Sequence, residues 1–316
     1  MSDKKRERRI LELQSPMDYG VMMEVIEQFV ERYPWMSVSS LGKSILGRRI
    51  PLIRLGNDIL EKEKCRVLYV GAHHGMEWIT TALLLRFINE YCELLKSDGM
   101  AEGIRVKSIY DRCGIYVLPM LNPDGVDYAV NGVGEDNVLY DRLLSMNGGS
   151  HDFSHWQANA RGVDLNHNYN AGFSEYKVKE AENGIFGGAP TRYSGEYPES
   201  EPETAYLCNF LRFQDPFDAV LTFHSQGEEI YYTSLGQAAP NSERLGKYLA
   251  RVSGYQLRSA EGLAAFGGLT DWFIKAFLKP AFTLECGKGS NPLPISQMPM
   301  IYLKLRKALF ELPMIV

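Results

Sequence analysis

The stretch VGAHHGMEWITTALLL, residues 70–85, sets two histidines and a glutamate between an apolar run and a run of helical spacing. The run before it, 66–70, is short, continuous and rich in β-branched and aromatic residues. Such runs predict strands buried on both faces of a sheet. Three more occur at 115–118, 219–223 and 281–284, and Arg49–Leu55 alternates like a strand. Helix-like spacing occurs at 17–33, 78–95, 201–213, 241–252, 270–277 and 298–310. Strands alternating with helices predict an α/β architecture: a mixed, mostly parallel central sheet with helices on both faces. Residues 124–198 interrupt this rhythm, being rich in Gly, Asn, Tyr and Asp. They are expected to be a long irregular segment of functional importance. No linker-like stretch divides the chain, so residues 1–316 are expected to form a single domain, with 1–15 as a flexible tail.

With 45% hydrophobic and 23% charged residues, the chain has enough apolar material for a large core. The formal net charge is -5 with no basic stripe, which argues against nucleic acid as a partner. No run is long and apolar enough to predict a membrane span, and the basic start lacks the apolar stretch of a secretory signal. A cytoplasmic location is therefore expected. The five cysteines are scattered and form no C-x-x-C pair, consistent with free buried thiols. Leu41-Gly42-Lys43-Ser44 lacks the first glycine of a phosphate loop, Ser37 standing there, so no nucleotide is expected. In the acidic run at 199–203, Ser200 reads as a helix N-cap, with Pro202 in the first turn and Glu203 three residues after the cap. Asn122-Pro123-Asp124-Gly125 has the composition of a turn.

The residues at the end of each apolar run point to chemistry. The first run leads into Gly71-Ala72-His73-His74, the second into Asn122-Pro123-Asp124-Gly125, the third into His224 and the fourth into Glu285. Ligands of open α/β sheets bind at the carboxyl ends of the strands. Strands in one sheet would thus bring His74, Glu77, His224 and Glu285 together. Two imidazoles and one carboxylate are a zinc set with a coordination position left open. His74 and Glu77, three apart, share a face at a helix start. A carboxylate off the metal is then needed as general base, and Glu285 suits it. H-x-x-E alone is a weak signal, since a hydrogen-bonded histidine at a strand end reads the same. The two further strand ends give it weight.

These residues resemble the zinc carboxypeptidase family. The motifs GAHHGMEWIT, LPMLNPDG, RGVDLNHNYNAGF, SEPET, TFHSQGE, GGLTDW and AFTLECGKG stand in family order between residues 33 and 294. The resemblance implies a carboxypeptidase-like fold, one zinc per chain and hydrolysis of an amide bond by zinc-activated water. It places the zinc ligands on His74, Glu77 and His224 and the general base on Glu285. His73, beside a ligand, takes a supporting role. Metal-bound imidazoles usually donate their second N–H to a carboxylate. Asp164 or Asp124 would serve.

Departures from the family pattern bear on the substrate. The D-x-N-R-N motif, whose Asn-Arg pair binds a terminal carboxylate, reads Asp164-Leu165-Asn166-His167-Asn168. An imidazole cannot offer the bidentate fork of a guanidinium. The oxyanion-stabilising arginine of the W-R-K-N motif is absent from Trp156-Gln157-Ala158-Asn159; Arg161 or Arg192 could replace it. The mobile tyrosine falls on Leu263. Thr270 stands at the pocket floor, neither an acid that would select basic side chains nor a large apolar residue. These departures resemble the branch that cleaves γ-D-glutamyl–diaminopimelate bonds of murein peptides. Asn166, His167, Thr270, Glu228 and Arg192 would then contact such a substrate. A conventional carboxypeptidase acting on α-peptides is the alternative. A non-catalytic peptide-binding module is a third reading, opposed by Glu285, for which a binder has no use.

Overall fold

A computed structural model describes residues 15–57 and 65–316; most of the expected tail, 1–14, lies outside them. Eight strands form one sheet in the order β1 (Ser37–Lys43), β2 (Arg49–Leu55), β6 (Cys113–Leu118), β3 (Cys65–Gly71), β7 (Ala219–His224), β10 (Ala281–Glu285), β8 (Glu229–Tyr231) and β9 (Gln256–Arg258). A small hairpin, β4 (Met100–Ala101) with β5 (Ile104–Arg105), stands apart. The central strands β6, β3, β7 and β10 run parallel, while β1, β2 and β8 join antiparallel. The sheet is mixed and mostly parallel at its centre, as expected.

Alternation along the strands explains why both faces are covered. Val67, Tyr69, Ile115, Val117, Leu221 and Phe282 face one apolar cluster. It is closed by α1 (Tyr19–Arg32), α2 (Ile79–Lys96), α3 (Val106–Tyr110), α8 (Ser242–Ser253) and α10 (Met298–Ile315). Leu68, Val70, Tyr116, Leu118 and Val220 face the other, closed by α7 (Pro202–Phe213) and α9 (Leu269–Phe277). All five cysteines are buried, and none is in a disulfide. No helix among the described residues is long and apolar enough to cross a membrane.

The segment 124–198 is more ordered than expected. It contains most of α4 (Pro123–Asn131), then α5 (Tyr140–Met146) and α6 (Phe173–Glu182), with a third apolar cluster of Tyr128, Leu143, Phe153 and Trp156. Asn122-Pro123-Asp124-Gly125 opens α4: the Asn122 side chain accepts from Gly125 N and Pro123 takes the first turn. A helix start and a turn share this chemistry, because both need an N–H acceptor before a fixed φ. Ser200 likewise does not cap α7. Its hydroxyl donates to Glu201 Oε1, and Glu201 occupies the cap position.

Candidate metal centre and substrate cleft

Register brings the strand ends together. Glu285 pairs with His224 across β10 and β7, and Gly71 pairs with Phe223 across β3 and β7. The chain leaving β3 turns through Ala72 and His73 into a single helical turn, Gly75–Glu77. This turn is pinned to the neighbouring loop by Gly75 N to Gln157 O at 3.0 Å and Met76 N to Trp156 O at 2.9 Å. Only glycine fits at position 75, since a Cβ there would lie 2.2 Å from Gly125 O. The loop is thereby held against the sheet, and Glu77 projects back under His74.

Three donor groups converge. His74 Nδ1 is 2.9 Å from Glu77 Oε1, His224 Nδ1 is 3.0 Å from Glu77 Oε2, and the two Nδ1 atoms are 3.3 Å apart. Their ligand atoms all lie within 4.8 Å of one another. On its other side, His74 Nε2 meets Asp164 Oδ1 at 3.1 Å. That oxygen also accepts from Asn166 N, and Oδ2 accepts from Arg192 N. A carboxylate can only accept, so His74 Nε2 carries the proton and a neutral His74 keeps its lone pair on Nδ1. At most one proton fits between the facing nitrogens, whereas one cation would satisfy both lone pairs and the carboxylate. Donors about 2.0–2.1 Å from a tetrahedral zinc lie about 3.3 Å apart, which the spacing here approaches. The donor set therefore fits zinc.

This crowding sets the electrostatics of the site. Burial disfavours charge on His74, but the Glu77 and Asp164 carboxylates outweigh it and hold the imidazole well above its usual range. Glu77 is lowered to about 2: burial opposes this, and His74 and His224 overcome it. Asp164 is held far below the usual carboxylate range against its burial, by His74 and His167. Burial first, and then His224 and His74, keep His73 neutral. His73 Nε2 contacts the Tyr169 hydroxyl at 3.0 Å, and its ring stacks on His224 at 5.2 Å, wedging that imidazole in place.

Beside this cluster opens a cleft that His74 and His224 border. Glu285 lines it, with its carboxyl pushed well above the usual range by burial and by Glu77. Asn166, His167 and Thr270, expected at a substrate site, line it too. Asn166 Oδ1 accepts from Leu269 N at 3.2 Å, which leaves the amide nitrogen as a donor. His167 stacks on Tyr176 at 4.1 Å and bonds Phe266 O through Nδ1 at 2.8 Å. Gly267, at φ +73, lets this contact close, because a Cβ would lie 2.6 Å from His167 O. Thr270 and Thr283 share a hydroxyl hydrogen bond of 2.8 Å.

Four expectations are corrected. Arg161 Nε donates to Glu201 Oε2 at 3.0 Å, and the residue lines a separate cavity with Arg142 and Tyr193. The buried Glu201 carboxylate captures it. Glu228 turns away from the cleft to pair with Lys288 and Lys304. Arg192 is exposed at φ +66 and meets Asp164 only through its backbone N–H. Asp124, fully buried, serves Ser44, Leu46 and Arg48, so of the two carboxylates it is Asp164 that touches His74. Tyr231, Thr233, Asp271 and Thr283 line the cleft and were not foreseen. Tyr231 belongs to a three-residue strand too short to recognise, and Asp271 reads as an ordinary first-turn acid of a helix.

A catalytic-type zinc donor set at the carboxyl edge of a mostly parallel sheet, with a carboxylate beside it, defines a zinc-dependent hydrolase. Residues 22–306 match the zinc carboxypeptidase family, Peptidase_M14, and the chain belongs to it. It is a zinc metallopeptidase. It is 35% identical over 295 residues to gamma-D-glutamyl-L-diamino acid endopeptidase 1 of Lysinibacillus sphaericus, covering 93% of this chain and 71% of that protein. Carboxypeptidase B of Rattus norvegicus is 28% identical over 261 residues, 78% of this chain and 57% of the relative. Among solved structures, thrombin-activatable fibrinolysis inhibitor aligns with a TM-score of 0.72 at 20% identity, over 95% of this chain and 74% of its own. A murein-tripeptide amidase from Escherichia coli O157 aligns with a TM-score of 0.53 at 20% identity, over 87% of this chain and 91% of its own. These two structural likenesses concern the fold.

Proposed function

We propose that the protein hydrolyses the bond between γ-D-glutamate and a diamino acid in murein peptides, with His74, Glu77 and His224 holding the zinc. The convergence of His74 Nδ1, His224 Nδ1 and Glu77 around one point, backed by Asp164, carries the metal assignment. Zinc held by His74, Glu77 and His224 would supply a Lewis acid for the scissile carbonyl and for the attacking water. Glu285 accepts the proton of the attacking water and returns it to the leaving amine. Asn166, through its free amide N–H, donates to the carbonyl oxygen as charge develops on it.

Two observations support the substrate. One is the 35% identity to an endopeptidase named for this bond. The other is the chemistry at His167: burial lowers its pKa, and its Nδ1–H is committed to the Phe266 carbonyl. A neutral imidazole in that state is not a clamp for a terminal carboxylate. No arginine lines the cleft among the described residues. This favours a bond whose recognition does not depend on a free α-carboxylate over release of C-terminal residues from α-peptides.

The test is a paired cleavage assay. L-Ala-γ-D-Glu-diaminopimelate is offered beside an α-peptide with a free C-terminus, with and without chelator. Chelator-sensitive release of diaminopimelate is expected. Cleavage of the α-peptide alone would overturn the substrate assignment, and hydrolysis surviving full zinc removal would overturn the metal assignment.

A further inference from the structure

We infer that Asn291 is a positioning residue of the metal centre: its side-chain amide holds the Glu77 carboxylate in place for the zinc and ties it to the segment that carries His224. The inference rests on the assignment of the zinc to His74, Glu77 and His224. It adds a residue that holds two of these ligands without being one.

Asn291 stands in the loop that leaves the base strand β10, Cys286-Gly287-Lys288-Gly289-Ser290-Asn291. This loop is laced to the segment around and after His224. Cys286 N donates to His224 O at 2.7 Å, Glu228 N to Glu285 O at 2.7 Å and Gly227 N to Gly287 O at 2.9 Å. Gly289, at φ +117, lets the chain curl back toward the metal centre. The Asn291 side chain then grips Ser225, the neighbour of His224, with both of its ends. Oδ1 accepts from Ser225 Oγ at 2.8 Å, and Nδ2 donates to Ser225 O at 2.6 Å. A backbone carbonyl can only accept, so the amide nitrogen must face it, and this fixes which way the amide is turned.

An NH2 group has two hydrogens. With one committed to Ser225 O, the other is left for Glu77 Oε1, 3.5 Å from Nδ2. Among the described residues the Glu77 carboxylate has two other polar neighbours, His74 at Oε1 and His224 at Oε2. Both belong to the donor set themselves, so their Nδ1 lone pairs are for the metal and not for Glu77. Asn291 is then the donor that remains to the carboxylate. The terminal torsion of a glutamate is broad, so a carboxylate without a partner swings about its last bond. Glu77 is buried, and water is not there to steady it. Ligating carboxylates are held by hydrogen bonds just as ligating imidazoles are. Asp164 does this for His74, and Asn291 does it for Glu77. Because the same amide also holds Ser225, the two ligands are braced against each other through one side chain.

The test reads metal binding directly. Zinc-free wild type, Asn291→Ala and Asn291→Leu are titrated with zinc against a chelator of known affinity. Each is also titrated with cobalt(II), whose visible bands report the geometry of its ligands, and circular dichroism of the zinc-free forms checks the fold. Asn291→Leu keeps the side-chain volume and carries the test if the alanine variant does not fold. Both variants should lose about 10–100-fold in zinc affinity, the usual cost of removing a partner behind a ligand, and their cobalt bands should differ from those of the wild type. Ser225→Ala removes one anchor of the amide but leaves its NH2 contacts, and should bind zinc within about threefold of the wild type. A loss in Ser225→Ala as large as that in Asn291→Ala would place the effect in the grip on Ser225 and overturn the role at Glu77. A folded Asn291 variant with zinc affinity within about twofold of the wild type and superimposable cobalt bands would overturn the inference and leave the zinc site standing. A wild type that binds neither metal would overturn the zinc site itself.

Discussion

Asp164→Asn tests whether the carboxylate behind His74 builds the metal centre. Asp164 accepts three hydrogen bonds: from His74 Nε2 and Asn166 N at Oδ1, and from Arg192 N at Oδ2. An amide has one oxygen. With that oxygen kept toward His74 and Asn166, its NH2 group opposes the Arg192 N–H. The lost charge-assisted bond should lower stability by about 1.5–3 kcal/mol. The weaker acceptor leaves His74 less firmly aimed and less basic at Nδ1. Removing such a partner typically costs 10–100-fold in metal affinity, about 1.4–2.7 kcal/mol. An opposing effect accompanies it. Asp164 helps hold the His74 pKa up, so without it protons compete less well with zinc. The loss should therefore be greatest at alkaline pH, where His74 is already neutral, and smaller in acid. The assay is competition for zinc against a chelator of known affinity across a pH series, with circular dichroism melting of the zinc-free forms. A folded variant binding zinc within about twofold of the wild type at alkaline pH would refute the role of Asp164.

Glu285→Gln should bind zinc normally and lose about 10²–10⁴-fold in kcat, the usual share of a positioned proton-transfer group; metal analysis and turnover on one sample check both. Arg161→Ala should change kcat by less than about threefold and lower stability by no more than about 1 kcal/mol, because it strips the buried Glu201 of its cationic partner at a half-exposed site while Asn159 and Ser200 still donate to it; chemical denaturation beside steady-state kinetics decides. Burial raises the Glu203 carboxyl to about 8. A folded-state pKa above the unfolded one means that stability is full below the unfolded value and falls as pH rises toward 8. Glu203→Gln should flatten that decline, which is at most about 1.4 kcal/mol per pH unit, in melting curves between mild acid and pH 8. Saturating zinc at about 1,000 times its dissociation constant should add roughly 4 kcal/mol to stability, read as a fall in melting temperature on chelation.

Much of the fold was legible because the central strands are buried on both faces. Their apolar runs, and the helices that cover them, stand out from the chain with boundaries close to those observed, although α10 continues to Ile315, past the expected end at residue 310. The edge strands β1 and β9 and the short strand β8 beside β9 escaped because half-exposed residues break the pattern and β8 and β9 have three residues each. The convergence of His74, Glu77, His224 and Glu285 could be read from the residues that end each apolar run, since parallel neighbours carry those residues to one edge. Side chains on irregular chain were another matter. Arg161 and Glu228 looked available for a substrate because nothing local assigns them a partner. Glu201, Lys288 and Lys304, which capture them, are distant in sequence and are brought near by tertiary packing.

The pairing of Glu285 with His224 across β10 and β7 has a consequence for how the enzyme comes into being. The donor atoms come from segments 147 residues apart, and the proton acceptor comes from later still in the chain. No local hairpin or helix can assemble the complete centre. During synthesis β3 and the His-Glu pair that follows it emerge long before the strand that supplies the base. A ribosome-bound chain can thus gather at most a two-residue metal contact until β7 is made, and it lacks the base until β10 pairs beside β7. The complete set of ligands and base therefore comes together only when β10, the last strand of the sheet in the chain, pairs with β7.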